Sequence, residues 1–157
     1  MKIFIFIFIL LSLNLYACPE NLICEGNIIF ANNELKELSL NDLEADNIAL
    51  DFIHVRSATI TNMHLRKGSI SQAILTNIQI KDSHFDGIDF TQTNFVNGVF
   101  IDSSFINCNF SNVNLKHANL ESSFLGNSIF VGAIYNDQTK LPFSKEEAIK
   151  RGMIYVP

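Results

Sequence analysis

Four histidines and three cysteines are the residues of this sequence best suited to chemistry. His64 and His84 lie twenty residues apart, and Glu44 and Ser104 continue the same spacing on either side. Imidazole and carboxylate groups are zinc ligands, and histidine also serves as a catalytic base. Whether these four side chains converge on one point depends on the fold that carries them.

Nucleophilic catalysis lacks its usual sequence context. The serines occur without a Gly-x-Ser-x-Gly elbow, and the sequence has no glycine-rich phosphate loop. Cys108 stands in a column of small and aliphatic residues, where a free thiol is a small core residue. We therefore expect no enzyme, no catalytic residue and no cofactor.

The composition predicts one acidic domain. The 157 residues include 11 Lys and Arg against 16 Asp and Glu, a net charge of −5, and 48% of them are hydrophobic. This is enough apolar material for one core, and the acidity argues against binding nucleic acid through its phosphates. The acidic residues crowd the first third, whereas the end of the chain carries Lys140, Lys145, Lys150 and Arg151.

The first seventeen residues resemble an export signal. Lys2 precedes an apolar run from residue 3 to 11, and Ala17 supplies a small residue before the predicted cleavage site between Ala17 and Cys18. The alternating Ile and Phe would also suit a buried strand. The export signal predicts a location in the periplasm, in the cell envelope or outside the cell.

Two roles are open for Cys18. It could form a disulfide with Cys24, which the parity of the three cysteines favours because Cys108 is assigned to the core. It could instead be lipidated, since Leu15-Tyr16-Ala17-Cys18 resembles a lipobox. We expect membrane attachment only in the second case.

A five-residue period runs through most of the chain. Every fifth residue from Phe30 to Tyr135 is apolar, and no insertion breaks the frame. A second column, two residues earlier, is mostly small or aliphatic. Residues two apart on an extended segment share a face, so both columns are predicted to point inward. The remaining positions are rich in Asn, Asp, Thr, Ser and Lys, which suits outward-facing and turning positions.

Four triplets show this pattern in full: Thr93-Asn94-Phe95, Cys108-Asn109-Phe110, Val113-Asn114-Leu115 and Ala118-Asn119-Leu120. Over residues 28–137 the chain resembles the pentapeptide-repeat family. The resemblance implies a right-handed quadrilateral β-helix, an all-β solenoid with one repeat per side and twenty residues per coil. The predicted organisation is a signal peptide at 1–17, a cap loop at 18–27, the β-helix at 28–137 and a cap at 138–157.

Residues twenty apart behave as neighbours should in such a coil. Asp46, Arg66 and Asp86 would form a ladder of alternating charge. Two further columns would stack inside, namely Ser83, Ser103 and Ser123, and Phe90, Phe110 and Phe130. The histidine column is then a straight line rather than a tetrahedral cluster, so we predict no metal site.

The chain leaves the five-residue period after Tyr135. Ser144 and Glu147 form a capping-box pattern, and Gly152 is a suitable residue to end a helix, so a short helix is predicted from about Lys145 to Arg151. The apolar residues 153–156 that follow could form a homodimer contact.

An outward-facing apolar group is the best candidate for a functional surface. It consists of Val96, Val99, Ile101, Ile106, Phe124, Ile129 and Val131. Exposed apolar residues in such numbers mark a protein-partner site, unless residues 138–157 fold back over them. We therefore interpret the chain as a non-enzymatic secreted or envelope scaffold for an unknown protein partner.

The alternative function is inhibition of a type II topoisomerase such as gyrase by DNA mimicry, which the family resemblance implies. Asp42, Asp82 and Asp102 would form an acidic column. The export signal opposes this interpretation, as do the basic residues Lys67 and Lys81.

Overall fold

The computed structural model describes residues 34–36, 39–42 and 44–157. The predicted signal peptide, the cap loop and the Cys18 and Cys24 pair lie outside these residues. The strands are β1 (Glu34–Lys36), β2 (Ser39–Asn41), β3 (Glu44–Ala49), β4 (His54–Arg56), β5 (Thr59–Thr61), β6 (His64–Ser69), β7 (Ile74–Thr76), β8 (Gln79–Lys81), β9 (His84–Asp89), β10 (Val99–Ile101), β11 (Ser104–Ile106), β12 (Ile134–Tyr135) and β13 (Ile154–Tyr155). The one helix of this part of the chain, α1, spans Lys145–Lys150.

Every strand pairs in parallel with the strand twenty residues away, as in Leu35 with Val55 and Leu65 with Phe85. This register builds a four-sided solenoid of about six turns. The first side carries β1, β4 and β7, the second carries β2, β5, β8 and β10, and the third carries β3, β6, β9 and β11. The fourth side is centred on Ile70, Phe90 and Phe110. The predicted quadrilateral β-helix is confirmed.

The corners of the coil arise from a backbone conformation that recurs every five residues. Each fifth residue from Asp42 to Gly132, with the exception of Ser122, has a positive φ. Most of these residues are Asn, Asp or Gly, which adopt the left-handed region at the lowest cost. The turning column is therefore as regular as the two inward columns, and its Asn and Asp content is the sequence signal for it.

The asparagine before each central residue has a local role. The side-chain oxygen of Asn94 accepts a hydrogen bond from the backbone N–H of Val96 at 3.1 Å, and Asn109 accepts one from Ser111 at 3.0 Å. The side-chain oxygen of Asn114 likewise accepts a hydrogen bond from the backbone N–H of Lys116 at 3.2 Å. The backbone N–H two residues after each of these asparagines does not take part in the hydrogen bonds between coils, and the asparagine side chain satisfies it. This explains why the motif contains Asn at this position.

Phenylalanine rings fill the middle of the core. Phe110 stacks on Phe90 and Phe130 with ring centroids 5.1 and 5.0 Å apart, and Phe85 stacks on Phe105 at 4.8 Å. Neighbouring sides of one coil meet edge to face. The predicted inward serine column is also confirmed, because Ser83, Ser103 and Ser123 are buried and hydrogen-bonded to backbone groups.

The C-terminal segment closes the last coil and then rejoins the repeat. Ser144 accepts a hydrogen bond from the N–H of Glu147 at 3.3 Å, as predicted. The Glu147 carboxylate, however, pairs with Arg151 at 3.0 Å instead of reaching back to Ser144. Gly152 ends the helix with a φ of +78°. The chain then forms β13, which pairs with β12 twenty residues earlier, so the period resumes after an interruption.

Candidate functional site

The histidine column lies on the third side as a straight ladder. Glu44, His64, His84 and Ser104 are in register on successive coils. The two imidazole rings lie 6.2 Å apart, and His84 Nδ1 is 2.5 Å from Ser104 Oγ. Among the described residues, no group of three or more His, Cys, Asp or Glu side chains is arranged to hold a metal ion.

The charge ladder beside the histidines forms only in part. The Arg66 guanidinium donates to Asp46 at 2.7 Å and to Glu44 at 3.3 Å. This hydrogen bond from Arg66 lowers the pKa of Asp46. Asp86, the predicted third member, instead accepts a hydrogen bond from Asn107 at 3.0 Å. The ladder therefore binds two coils together and offers no cluster of charge for catalysis.

Cys108 is a buried free thiol, as predicted. Its Sγ atom lies 3.4 Å from the carbonyl oxygen of Ile106, and burial raises its pKa to about 11. A thiol of this pKa carries almost no nucleophilic thiolate at neutral pH.

The acidic column at the corner between the second and third sides is interrupted. Asn62 stands between Asp42 and Asp82 and donates to the Asp42 carboxylate at 2.6 Å. Lys81 lies 3.6 Å from the Asp82 carboxylate. The column does not present an unbroken series of anions.

The seven apolar residues of the predicted partner surface lie on all four sides. Val96 lies on the first side, Val99 and Ile101 on the second, Ile106 and Phe124 on the third, and Ile129 and Val131 on the fourth. Val96, Val99, Ile101 and Ile106 are half-buried. Phe124, Ile129 and Val131 are 63%, 52% and 61% exposed. The well-exposed members of the predicted surface are therefore those nearest the C-terminal end.

Phe124 lies across the third side because Gly126 has no side chain. A Cβ atom on Gly126 would lie 2.5 Å from Cε1 of the Phe124 ring. We call Phe124, Ile129 and Val131 the apolar corner, since they turn from the third side to the fourth in the last coils. The helix adds the exposed Ile149, which the sequence analysis missed because it stands outside the five-residue period.

The C-terminal segment covers the end of the core and leaves the apolar corner exposed. Gly132 N–H donates to the Gly152 carbonyl at 2.8 Å, which places the segment above the last coil. Phe143 packs edge to face on Phe130, and the Arg151 guanidinium lies 4.6 Å from the centre of the Phe143 ring. The alternative prediction, that residues 138–157 cover the apolar residues, does not describe this arrangement.

A cleft of about 400 Å³ lies between the last coil and the cap. Lys140 on its wall lies 3.9 Å from Glu121, and Lys145 lies 3.1 Å from Asp137. These charged groups are paired with one another and do not converge on a reacting position.

The geometry defines a class of protein: a parallel β-solenoid with a packed core, whose distinguishing features lie on its outer surface. A family model for pentapeptide repeats matches this chain in eight copies, over residues 73–112, 83–121 and 108–134. Residues 73–134 of the chain are therefore pentapeptide repeats of this family. A search of curated proteins finds no match.

Solved structures support the same fold. HetL, a pentapeptide repeat protein involved in heterocyst differentiation regulation in the cyanobacterium Nostoc, aligns with 18% identity and a TM-score of 0.52. The alignment covers 64% of this chain and 42% of HetL, so the chain spans less than half of that protein. A pentapeptide repeat protein from the Arabidopsis thaliana thylakoid lumen aligns with 21% identity, a TM-score of 0.52 and coverage of 67% of this chain and 73% of that one. At such identities the likeness shows the fold alone.

Within the part of the chain that the structure describes, no helix has the length and apolarity needed to span a bilayer.

Proposed function

We propose that this protein is a non-enzymatic scaffold, exported from the cytosol, that binds a protein partner through its apolar corner. The observation that carries the proposal is the exposure of Phe124, Ile129 and Val131 at one end of a rigid rod. Isolated apolar residues are common on protein surfaces, but three large exposed ones within a span of eight residues at the same end of the solenoid favour a binding site. Aromatic residues supply much of the binding energy at such sites, which makes Phe124 the central residue of the proposed contact.

The rod is suited to this task because it holds the corner in a fixed geometry. The Phe110 and Phe130 rings stack beneath the fourth side, and Phe124 N–H and Ile129 N–H both donate to the coil below at 2.9 Å. A surface that is already ordered loses little conformational entropy on binding.

Site-specific photo-crosslinking tests the proposed contact. A photoreactive residue at position 124 should capture one partner, whereas the same residue at the exposed Gln79, on the second side, should not. Ile129→Asp should abolish the crosslink at position 124 because it places a charge inside the contact. Equal capture at both positions, or capture that survives Ile129→Asp, would count against the proposal.

The export proposal rests on Lys2, the apolar run at residues 3–11 and the small Ala17. The intact mass of the protein recovered from its host tests it and also separates the two roles of Cys18. Loss of residues 1–17 with two hydrogens fewer would indicate the Cys18–Cys24 disulfide. A gain of diacylglycerol and acyl mass would indicate the lipid anchor, and an uncleaved chain would refute export.

Inhibition of a type II topoisomerase is the second candidate, and the column of Asp42, Asp82 and Asp102 is the feature that favours it. A DNA supercoiling assay with the purified protein tests whether it inhibits a type II topoisomerase. Inhibition that disappears in Asp82→Asn and Asp102→Asn would support it over the scaffold.

A further inference from the structure

The histidine column of the third side brings two imidazole rings together, although it offers no cluster of three metal ligands in the described part of the chain. His64 on β6 is in register with His84 on β9. His64 is exposed and His84 is half-buried, and their ring centres lie 6.2 Å apart. An imidazole-bound metal ion lies about 3 Å from the centre of the ring, because the metal–nitrogen bond is about 2.0–2.1 Å long. One ion between the two rings is therefore within reach of both.

Hydrogen bonds hold the His64 ring with one nitrogen free. Asn62 Nδ2 donates to the Asp42 carboxylate at 2.6 Å, so the side-chain oxygen of Asn62 is the atom that faces His64 Nε2, at 3.3 Å. An amide oxygen only accepts, so Nε2 carries the proton of the neutral ring. His64 Nδ1 then has the lone pair, and no group among the described residues donates to it.

The next coil orients His84. Its Nδ1 is bonded to the hydroxyl of Ser104, the following residue of the column. A hydroxyl accepts as readily as it donates, and this one has no other hydrogen bond within the described part of the chain. When it accepts from Nδ1–H, the lone pair is on His84 Nε2. Metal-binding histidines commonly donate their second nitrogen to a fixed protein group in this way, which orients the ring and raises its basicity.

The charges beside the two histidines favour a cation. Arg66, two residues after the first histidine on the same strand, is paired with Asp46 at 2.7 Å and with Glu44 at 3.3 Å. Asp86 has the equivalent position on β9, in register with Arg66. The outward positions of β3, β6 and β9 on this side therefore hold three carboxylates and one guanidinium besides the histidines. Their net negative charge attracts a divalent cation.

We propose that His64 Nδ1 and His84 Nε2 bind one divalent transition-metal ion, Zn²⁺ or Cu²⁺, between β6 and β9. Imidazole nitrogen is a preferred ligand of both ions. A straight column cannot surround an ion with three ligands, which is why the sequence analysis predicts no metal site, but two neighbouring ligands do not need that geometry. Glu44 lies on the far side of His64 and is held by Arg66, so water completes the coordination. Such an ion keeps positions that a ligand from another molecule can fill.

Titration calorimetry of the full chain with Zn²⁺ tests the site. His64→Gln and His84→Gln should each weaken Zn²⁺ binding by about tenfold or more, because each removes one of the two protein ligands. His54→Gln is the matched control, since His54 is exposed on the first side, away from the pair, and its loss should leave the affinity unchanged. Glu44→Gln should also leave it unchanged. Zn²⁺ should raise the melting temperature of the wild type but not of His84→Gln, because the ion joins two coils of the folded rod.

The outcomes separate this site from its alternatives. Equal Zn²⁺ affinity in the wild type and in both variants of the pair would overturn the proposal, as would an equal loss in His54→Gln. A loss in Glu44→Gln would overturn a site of two histidines in favour of a three-ligand column. If a variant does not give the wild-type circular dichroism spectrum, electron paramagnetic resonance of the wild type with Cu²⁺ provides the second test. Two imidazole nitrogens should couple to the bound Cu²⁺, and a spectrum with one or none would overturn the proposal.

Discussion

At the scale of single residues, the left-handed corner position explains both the regularity of this chain and its weak points. Asn, Asp and Gly occupy most of these positions, but Phe52 occupies one with a φ of +62° and remains 48% exposed. A bulky side chain in this region costs about 1–2 kcal/mol, and an exposed ring gains little from burial. Phe52 is therefore the residue least suited to its backbone.

Phe52→Asn should raise the free energy of unfolding by about 0.5–1 kcal/mol, because Asn adopts the left-handed region more readily. The Phe52 N–H would keep its bond to the Ser71 carbonyl, which is 3.0 Å long. Urea denaturation measures the change. Phe52→Ala is the matched control, since it removes the ring but keeps the backbone penalty. Equal stabilisation by both variants would show that loss of the exposed ring, and not the backbone, is responsible.

The raised pKa of the buried Cys108 thiol predicts that the free energy of unfolding decreases at high pH. Burial raises its pKa from 9.0 to about 11, so the unfolded chain releases the thiol proton at a lower pH than the folded protein. The contribution is complete below about pH 9 and is lost as the pH rises to about 11, at a rate of about 1.4 kcal/mol per pH unit. Comparing the pH dependence of unfolding in the wild type and in Cys108→Ala isolates this effect from that of the lysines. Parallel curves for the two proteins would refute the prediction.

At the scale of elements, β3, β6 and β9 are long because they continue around a corner from the third side to the fourth. Two glycines lie at this corner, Gly68 with a φ of +129° and Gly87 with a φ of +68°. Their surroundings differ. A Cβ atom on Gly68 would lie 2.4 Å from the Ile48 carbonyl oxygen, whereas one on Gly87 would meet only Lys67 Cγ at 4.0 Å.

Gly68→Ala should therefore destabilise the protein far more than Gly87→Ala. The first substitution forces β6 away from the backbone of β3, and we expect a cost of about 3 kcal/mol or more. The second adds only the strain of a left-handed alanine, about 1 kcal/mol. Thermal unfolding of the two variants measures the difference. Similar melting temperatures would show that β6 can move away from β3 without lowering the free energy of unfolding.

At the scale of the whole molecule, the core is one continuous stack, so each coil depends on its neighbours. Phe110 is fully buried between Phe90 and Phe130, in the middle of the aromatic stack. A cavity at this position would weaken the contact of the last coil and its cap with the rest of the rod.

Phe110→Ala should reduce the free energy of unfolding by about 3–5 kcal/mol, because it removes a ring and leaves a cavity. Phe110→Leu should cost less than about 1.5 kcal/mol, since Leu115 and Leu120 already occupy equivalent buried positions. Denaturant titration gives both values. Hydrogen exchange should also show faster opening of residues beyond Phe110 in the alanine variant, and uniform acceleration along the rod would contradict a stack of coupled coils.

The sequence by itself determined the coil, its register and most of its core. The apolar column through Phe95 and Phe110 repeats without insertion, and a parallel ladder requires only that equivalent residues return to the same position. The helix and its caps at Ser144 and Gly152 were also predictable, because capping depends on residues close in sequence.

The tertiary structure alone decided how the surface is arranged. The seven apolar residues looked like one group in the sequence, but the four sides separate them, because each corner turns the chain and consecutive repeats face different directions. The pairing of residues 154–155 with residues 134–135 also could not be predicted from the sequence, because the segment between them does not follow the five-residue period. Hydrogen bonds such as those of a helix cap join residues that are close in sequence, so the sequence predicts them. The arrangement of surface residues depends on where distant segments of the chain meet in space.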